Sequence, residues 1–157
     1  MKATGNYAKA VRVDGGAHVE LGSATGGTIL FTAQSPVAAL ATEVRAAELR
    51  DGTLTIFNGE FTGMSAGVYV AFSGSSTATP PTLVIHGGKF SATEATGSGL
   101  YATNGGTISL SGGAYNKIST NGDVFSYLAD GSTFSTANSG TGVIDRTNPG
   151  EALNGTV

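Results

Sequence analysis

Eleven carboxylates, eight basic side chains, two histidines and no cysteine are the reactive groups of this chain. Glycoside hydrolysis is the first chemistry to weigh, because it needs only two carboxyl groups facing each other across the scissile bond. The acids considered are Asp14, Glu20, Glu43, Glu48, Asp51, Glu60, Glu94, Asp123 and Asp130, and they are scattered singly. No Asp-Asp or Asn-Thr-Asp cluster pairs two of them, and no dense run matches the carboxylate-rich loop that wraps calcium. His18 and His86 are the only histidines and lie far apart in the sequence, and two isolated histidines do not make a zinc site without acid partners. The serines are many, but none sits in a nucleophile elbow; a Ser-His-Asp triad drawn from distant parts of the chain stays open. With no cysteine, thiolate chemistry and disulfides are excluded. The expectation is a protein without metal, cofactor or catalytic residues.

Binding is better served. Tyr69, Tyr101 and Phe125 fall on the outward parity of three successive repeats, with Asn104 and Asn121 nearby. Aromatic faces in a row suit sugar rings, and the amides suit sugar hydroxyls, so these five residues form the expected glycan site. The competing reading packs the aromatics under the variable loops of residues 73–81 and 91–99. A column of Thr28, Thr53, Thr82 and Thr107 raises ice binding as a third idea. Only one unit doubles the threonine (Thr53, Thr55), and β-propensity on a solvated strand explains the column without a ligand.

These side chains must be positioned by a repeat. The stretch Thr53–Phe61 (TLTIFNGEF) recurs as Thr82–Phe90 (TLVIHGGKF) and Thr107–Tyr115 (TISLSGGAY), with a degenerate copy starting at Thr28–Phe31 (TILF). The leading threonines are 25, 29 and 25 residues apart, a period that signals a solenoid or other repeat architecture. Each unit reads as three pieces. The first is a half-buried strand with Ile29/Phe31, Leu54/Ile56, Leu83/Ile85 and Ile108/Leu110 inward. A Gly turn follows and ends in Phe61, Phe90 or Tyr115; the turn needs φ > 0. The third strand is expected at Val44–Ala46, Val68–Val70, Leu100–Ala102 and Val124–Ser126. Three short strands per unit of about 25 residues predict an all-β, right-handed parallel β-helix of four to five rungs. Phe61, Phe90 and Tyr115 would then stack. A sandwich needs paired hairpins, and a propeller blade needs a longer repeat.

By this reading residues 1–27 are a lead-in half rung, 28–122 the rungs, 123–145 a C-terminal cap and 146–157 a tail. The cap is expected to include a short helical turn ending at Gly131, because an open solenoid end invites another chain.

The units resemble the T-x-x-I-x-G-G-x-F rungs of pectin-lyase-like β-helices in very large surface proteins of gut Firmicutes and relatives. The segments Gly113–Ile118 and Ser126–Gly131 resemble the part that closes such stacks. The resemblance spans roughly residues 27–134. It implies an extracellular, stalk-like or adhesin-like role and brings no catalytic residue with it.

Composition agrees. Charged residues are 12% of the chain, against about 25% in a typical domain, and Gly numbers 25 of 157. The net charge of −3 and the lack of a basic run argue against nucleic acid. No apolar run is long enough to span a bilayer. No signal peptide follows Met1, so a fragment of a longer surface protein is expected, with adjoining repeats and a glycan or host surface as partners. The alternative from another class is a carbohydrate-active enzyme, a lyase or hydrolase whose acids meet only in the fold.

Overall fold

Strands alternate apolar and polar residues because one face must be buried, and here the buried faces lie on three sheets rather than one. The computed structural model describes residues 1–37, 42–72, 80–103, 106–121, 125–128, 133–135 and 141–145, with side chains described as far as Ser119. The described elements are short strands. The chain first lays down β1 (Lys2–Thr4), β2 (Lys9–Val13) and β3 (His18–Leu21). It then repeats that order with β4 (Leu30–Gln34), β5 (Arg45–Leu49) and β6 (Thr53–Ile56), and again with β7 (Glu60–Gly63), β8 (Ala66–Ala71) and β9 (Thr82–Ile85). The fourth circuit is β10 (Lys89–Ala92), β11 (Ser98–Thr103) and β12 (Thr107–Leu110). The fifth is β13 (Ala114–Tyr115), β14 (Lys117–Asn121) and β15 (Phe125–Leu128).

Strands of successive circuits pair in parallel, so sheet A is β1-β4-β7-β10-β13, sheet B runs from β2 to β14 and sheet C from β3 to β15. Two antiparallel strands follow: β16 (Thr133–Ser135) on β15 and β17 (Thr141–Asp145) on β14. The fold is therefore all-β, with three parallel sheets of short strands visited in turn, an arrangement consistent with a β-solenoid.

The core is a set of ladders. Leu54, Leu83 and Ile108 stack in register on sheet C, as do Ile56, Ile85 and Leu110, and all six are buried. Each such side chain contributes about 1.5–3 kcal/mol by leaving water. On sheet A, Phe31, Phe61, Phe90 and Tyr115 form one ring stack with centroids 5.0, 5.3 and 5.0 Å apart. The stack is held at its corner by Gly59, Gly88 and Gly113, whose φ of 130°, 119° and 107° would strain any other residue. A Cβ at Gly88 would also meet the Gly59 carbonyl oxygen at 2.9 Å, so the corner turns nest backbone on backbone.

The predicted inward residues of the three clear repeats and their ring stack are all found. The register elsewhere differs. Thr28–Phe31 does not begin a sheet C strand; β4 lies in sheet A, with Phe31 opposite Phe61. The sheet C strand before Thr53 is β3, which puts His18 opposite Thr53. Residues 1–27 thus hold a complete circuit rather than half of one. The sheet B strands align Ala47, Val68, Leu100 and Ile118, so the expected pieces at Val44–Ala46 and Val124–Ser126 were misplaced. Phe125–Leu128 is not a helical turn but a strand in register with β12. The remainder of the expected turn, and the tail from Arg146, lie outside the described residues.

Candidate functional site

The outer column of sheet B reads Arg12, Glu48, Tyr69, Tyr101, Ser119, each opposite the next. Tyr69 and Tyr101 therefore sit side by side as expected, with ring centroids 5.4 Å apart and planes 16° from parallel. Phe125 is not their neighbour. It stands in β15 of sheet C, opposite Thr107, and Ser119 takes the place expected for it. Asn121 closes β14, opposite Thr103, while Asn104 lies outside the described residues.

Stacking along the ladder turns the ring faces toward neighbouring circuits. Tyr101 covers one face of Tyr69, and the Arg45 guanidinium lies 3.4 Å from the Tyr69 ring centroid. What Tyr69 offers a ligand is its edge and its hydroxyl, not a flat platform for sugar stacking. Burial raises the Tyr69 phenol above its ordinary value, against the pull of the Arg45 and Arg50 charges, so the group is a neutral hydrogen-bond donor and acceptor.

Arg45 is itself held. Its Nη1 donates to Glu48 Oε2 at 2.5 Å, and its Nη2 is 3.2 Å from Glu43. Glu48, only 1% exposed, also accepts from Arg50 Nε at 2.7 Å and lies 3.6 Å from Lys9 Nζ. Burial alone would push its carboxyl up. The hydrogen bonds from Arg50 and Arg45, with their charges, outweigh that and hold it below the usual carboxylate range. The Arg45 Nε–H is buried and has no acceptor among the described residues. Sequence reasoning missed this ion-pair cluster because it set the strand three residues out of register, with Val44 rather than Ala47 level with Val68.

These groups border a groove of about 520 Å³, lined by Thr42, Arg45, Ser65, Tyr69, Glu94 and Tyr101 among others. The size falls within the usual range for small-molecule sites. Ser65 Oγ donates to the Val44 carbonyl, and Ser98 and Ser119 share a hydrogen bond of 2.7 Å, which fixes the polar floor.

The other titratable residues stay apart. Glu60 lies 3.4 Å from Lys89 on sheet A, the level the repeat predicted. Asp14 pairs with Arg12, and His18 is 3.7 Å from Glu20 on an exposed strand. Asp51 keeps one buried oxygen without a partner among the described residues. His86 stacks on Phe57 at 5.0 Å, with Ser111 bonded to its Nδ1 at 3.0 Å, on the exposed corner expected for it. Asp123 and Asp130 lie outside the described residues. Among the described residues, no group of three His, Cys, Asp or Glu is placed to hold a metal. No described helix is long and apolar enough to cross a membrane. Compared with family models, curated proteins and solved structures, the chain matches none.

Proposed function

We propose that this chain is a non-catalytic, right-handed parallel β-helix module of a bacterial surface or secreted protein, a stalk that carries a saccharide-binding groove. Right-handedness follows from the strong bias of crossovers between parallel strands. The antiparallel strands β16 and β17 act as its C-terminal cap, since they lie on the last parallel strands of sheets C and B. The likeness of the rungs to those of pectin-lyase-like surface proteins supports the location and the stalk role.

The observation that carries the binding role is the groove on sheet B, where Tyr69, Tyr101 and Arg45 converge on a rigid ladder. A preorganised site on a sheet loses little entropy when a ligand binds. Hydrolysis by paired carboxyls is disfavoured here because Glu94 is the one described acid in the lining and Glu48 is locked in ion pairs.

The test is a screen of the whole chain against an immobilised glycan panel, beside a Tyr101→Ala variant. Tyr101 is the better target, because Tyr69 also supports Arg45. Binding by the wild type that falls at least about tenfold in the variant, with an unchanged melting temperature, is the expected result. Silence from the wild type across the panel leaves a plain spacer.

A further inference from the structure

We infer that the groove prefers saccharides carrying a free amine, and that Glu94 is the group that reads the ammonium. The inference rests on the saccharide-groove reading above and adds its selectivity. Two charged side chains line the groove, Arg45 and Glu94, and they are in opposite situations. Arg45 is only 4% exposed, is engaged by Glu48 and Glu43 and sits 3.4 Å from the Tyr69 ring centroid, so it is held within the sheet's own ion pairs. Glu94 has no ion-pair partner among the described residues, although it is half-buried.

Its backbone is fixed. The Glu94 N–H donates to the Met64 carbonyl at 3.0 Å, and its own carbonyl accepts from Gly97 at 2.9 Å. Glu94 therefore lines the groove from a defined turn rather than from a loose loop.

A partly desolvated carboxylate without a counterion gains most from a ligand that supplies one, through a charge-assisted hydrogen bond. A uronate would instead place its own carboxylate beside Glu94 and find no unpaired cation in the described lining. The hydroxyls of Tyr69, Tyr101, Thr42 and Thr96 suit the sugar hydroxyls of either ligand, so the discrimination comes from Glu94. A groove of about 520 Å³ accommodates a ligand of disaccharide or trisaccharide size.

The test is calorimetric titration of the full chain with three trisaccharides: β-1,4-glucosamine, its N-acetylated form and galacturonate. The amine trimer is expected to bind about tenfold or more tightly than the N-acetylated trimer, with the galacturonate weakest. Glu94→Gln is expected to weaken the amine trimer about tenfold and to remove its advantage. Equal binding of the amine and N-acetylated trimers, an ineffective Glu94→Gln, or preference for galacturonate would each overturn the inference while leaving saccharide binding standing. If no saccharide binds in either this titration or the panel, the groove reading itself fails. A Glu94→Gln variant that unfolds is replaced by a salt titration of the wild type. In it, the amine trimer must weaken with ionic strength far more than the N-acetylated one, or the inference falls.

Discussion

Sheets B and C grow by the same rule, one parallel strand per circuit, yet their outer faces are chemically unlike. On sheet C the outer column His18, Thr53, Thr82 and Thr107 stays exposed or half-exposed, with short side chains in register. On sheet B the outer column buries Glu48 and Ser119 to 1% and 4% exposure and presses Arg45 against Tyr69. The difference lies in the corners. Chain entering β7, β10 and β13 of sheet A comes through three-residue glycine turns such as Phe57–Gly59, whereas chain entering sheet B comes through connections of uneven length, long from Gln34 to Arg45 and from Ala92 to Ser98 but short from Gly63 to Ala66. A ladder can be repeated with little change while a connection beside it lengthens. Function on such a scaffold is expected where the corner is long.

The ladder itself should break first. Ile85 is fully buried between Ile56 and Leu110, so Ile85→Asp places an unpaired charge between circuits of sheet C. Loss of cooperative thermal unfolding by circular dichroism is expected, and near wild-type melting would refute the inward parity. Next comes the sheet B cluster. Glu48→Gln leaves Arg45 and Arg50 without their buried partner and is expected to cost about 3–5 kcal/mol in denaturant unfolding. The same residue gives the fold a pH dependence. Glu48 is depressed in the folded state, so its stabilisation is present above the ordinary carboxylate value near about 4.3 and is lost as pH falls through the folded value. Glu48→Gln should flatten that acid limb in melts taken across the range; an unaltered limb would assign it to other carboxylates.

How much of this was legible depends on where a residue sits in the repeat. Leu83, Ile85 and Phe90 announce their faces because alternation and the Gly turn repeat together in three units. Glu60 and Lys89 fall level for the same reason. Thr28 was misleading, since the string TILF satisfies the sheet C pattern while Phe31 belongs to the sheet A ring stack. Its true counterpart, His18, has no Gly-Gly turn after it to reveal the register. Two of the three residues of the expected aromatic row lie side by side. Tyr69 and Tyr101 share a repeat whose boundaries are clear, but Phe125 was aligned across a connection whose length could not be inferred. Arg45 and Glu48 were invisible as a pair because ion pairing on a sheet face depends on which corner loop covers it, and no periodicity encodes that.

The smallest effect is expected on the bare face, and it sharpens the contrast most. Thr82→Val keeps the branched shape and the strand propensity while deleting a half-exposed hydroxyl. With no described side-chain hydrogen bond lost, the change should stay within about 0.5 kcal/mol in either direction. The same variant addresses ordered water. The threonine column is three long, not four, and it ends at His18 and Glu20, whose exposed imidazole and carboxylate interrupt a flat hydroxyl array. Wild type and Thr82→Val should therefore show the same freezing behaviour, with no gap between melting and ice growth. A gap in the wild type that Thr82→Val abolishes would move the working face from sheet B to sheet C. Without that gap, the threonines serve only the strand, and sheet B stays the face on which ligand binding is proposed.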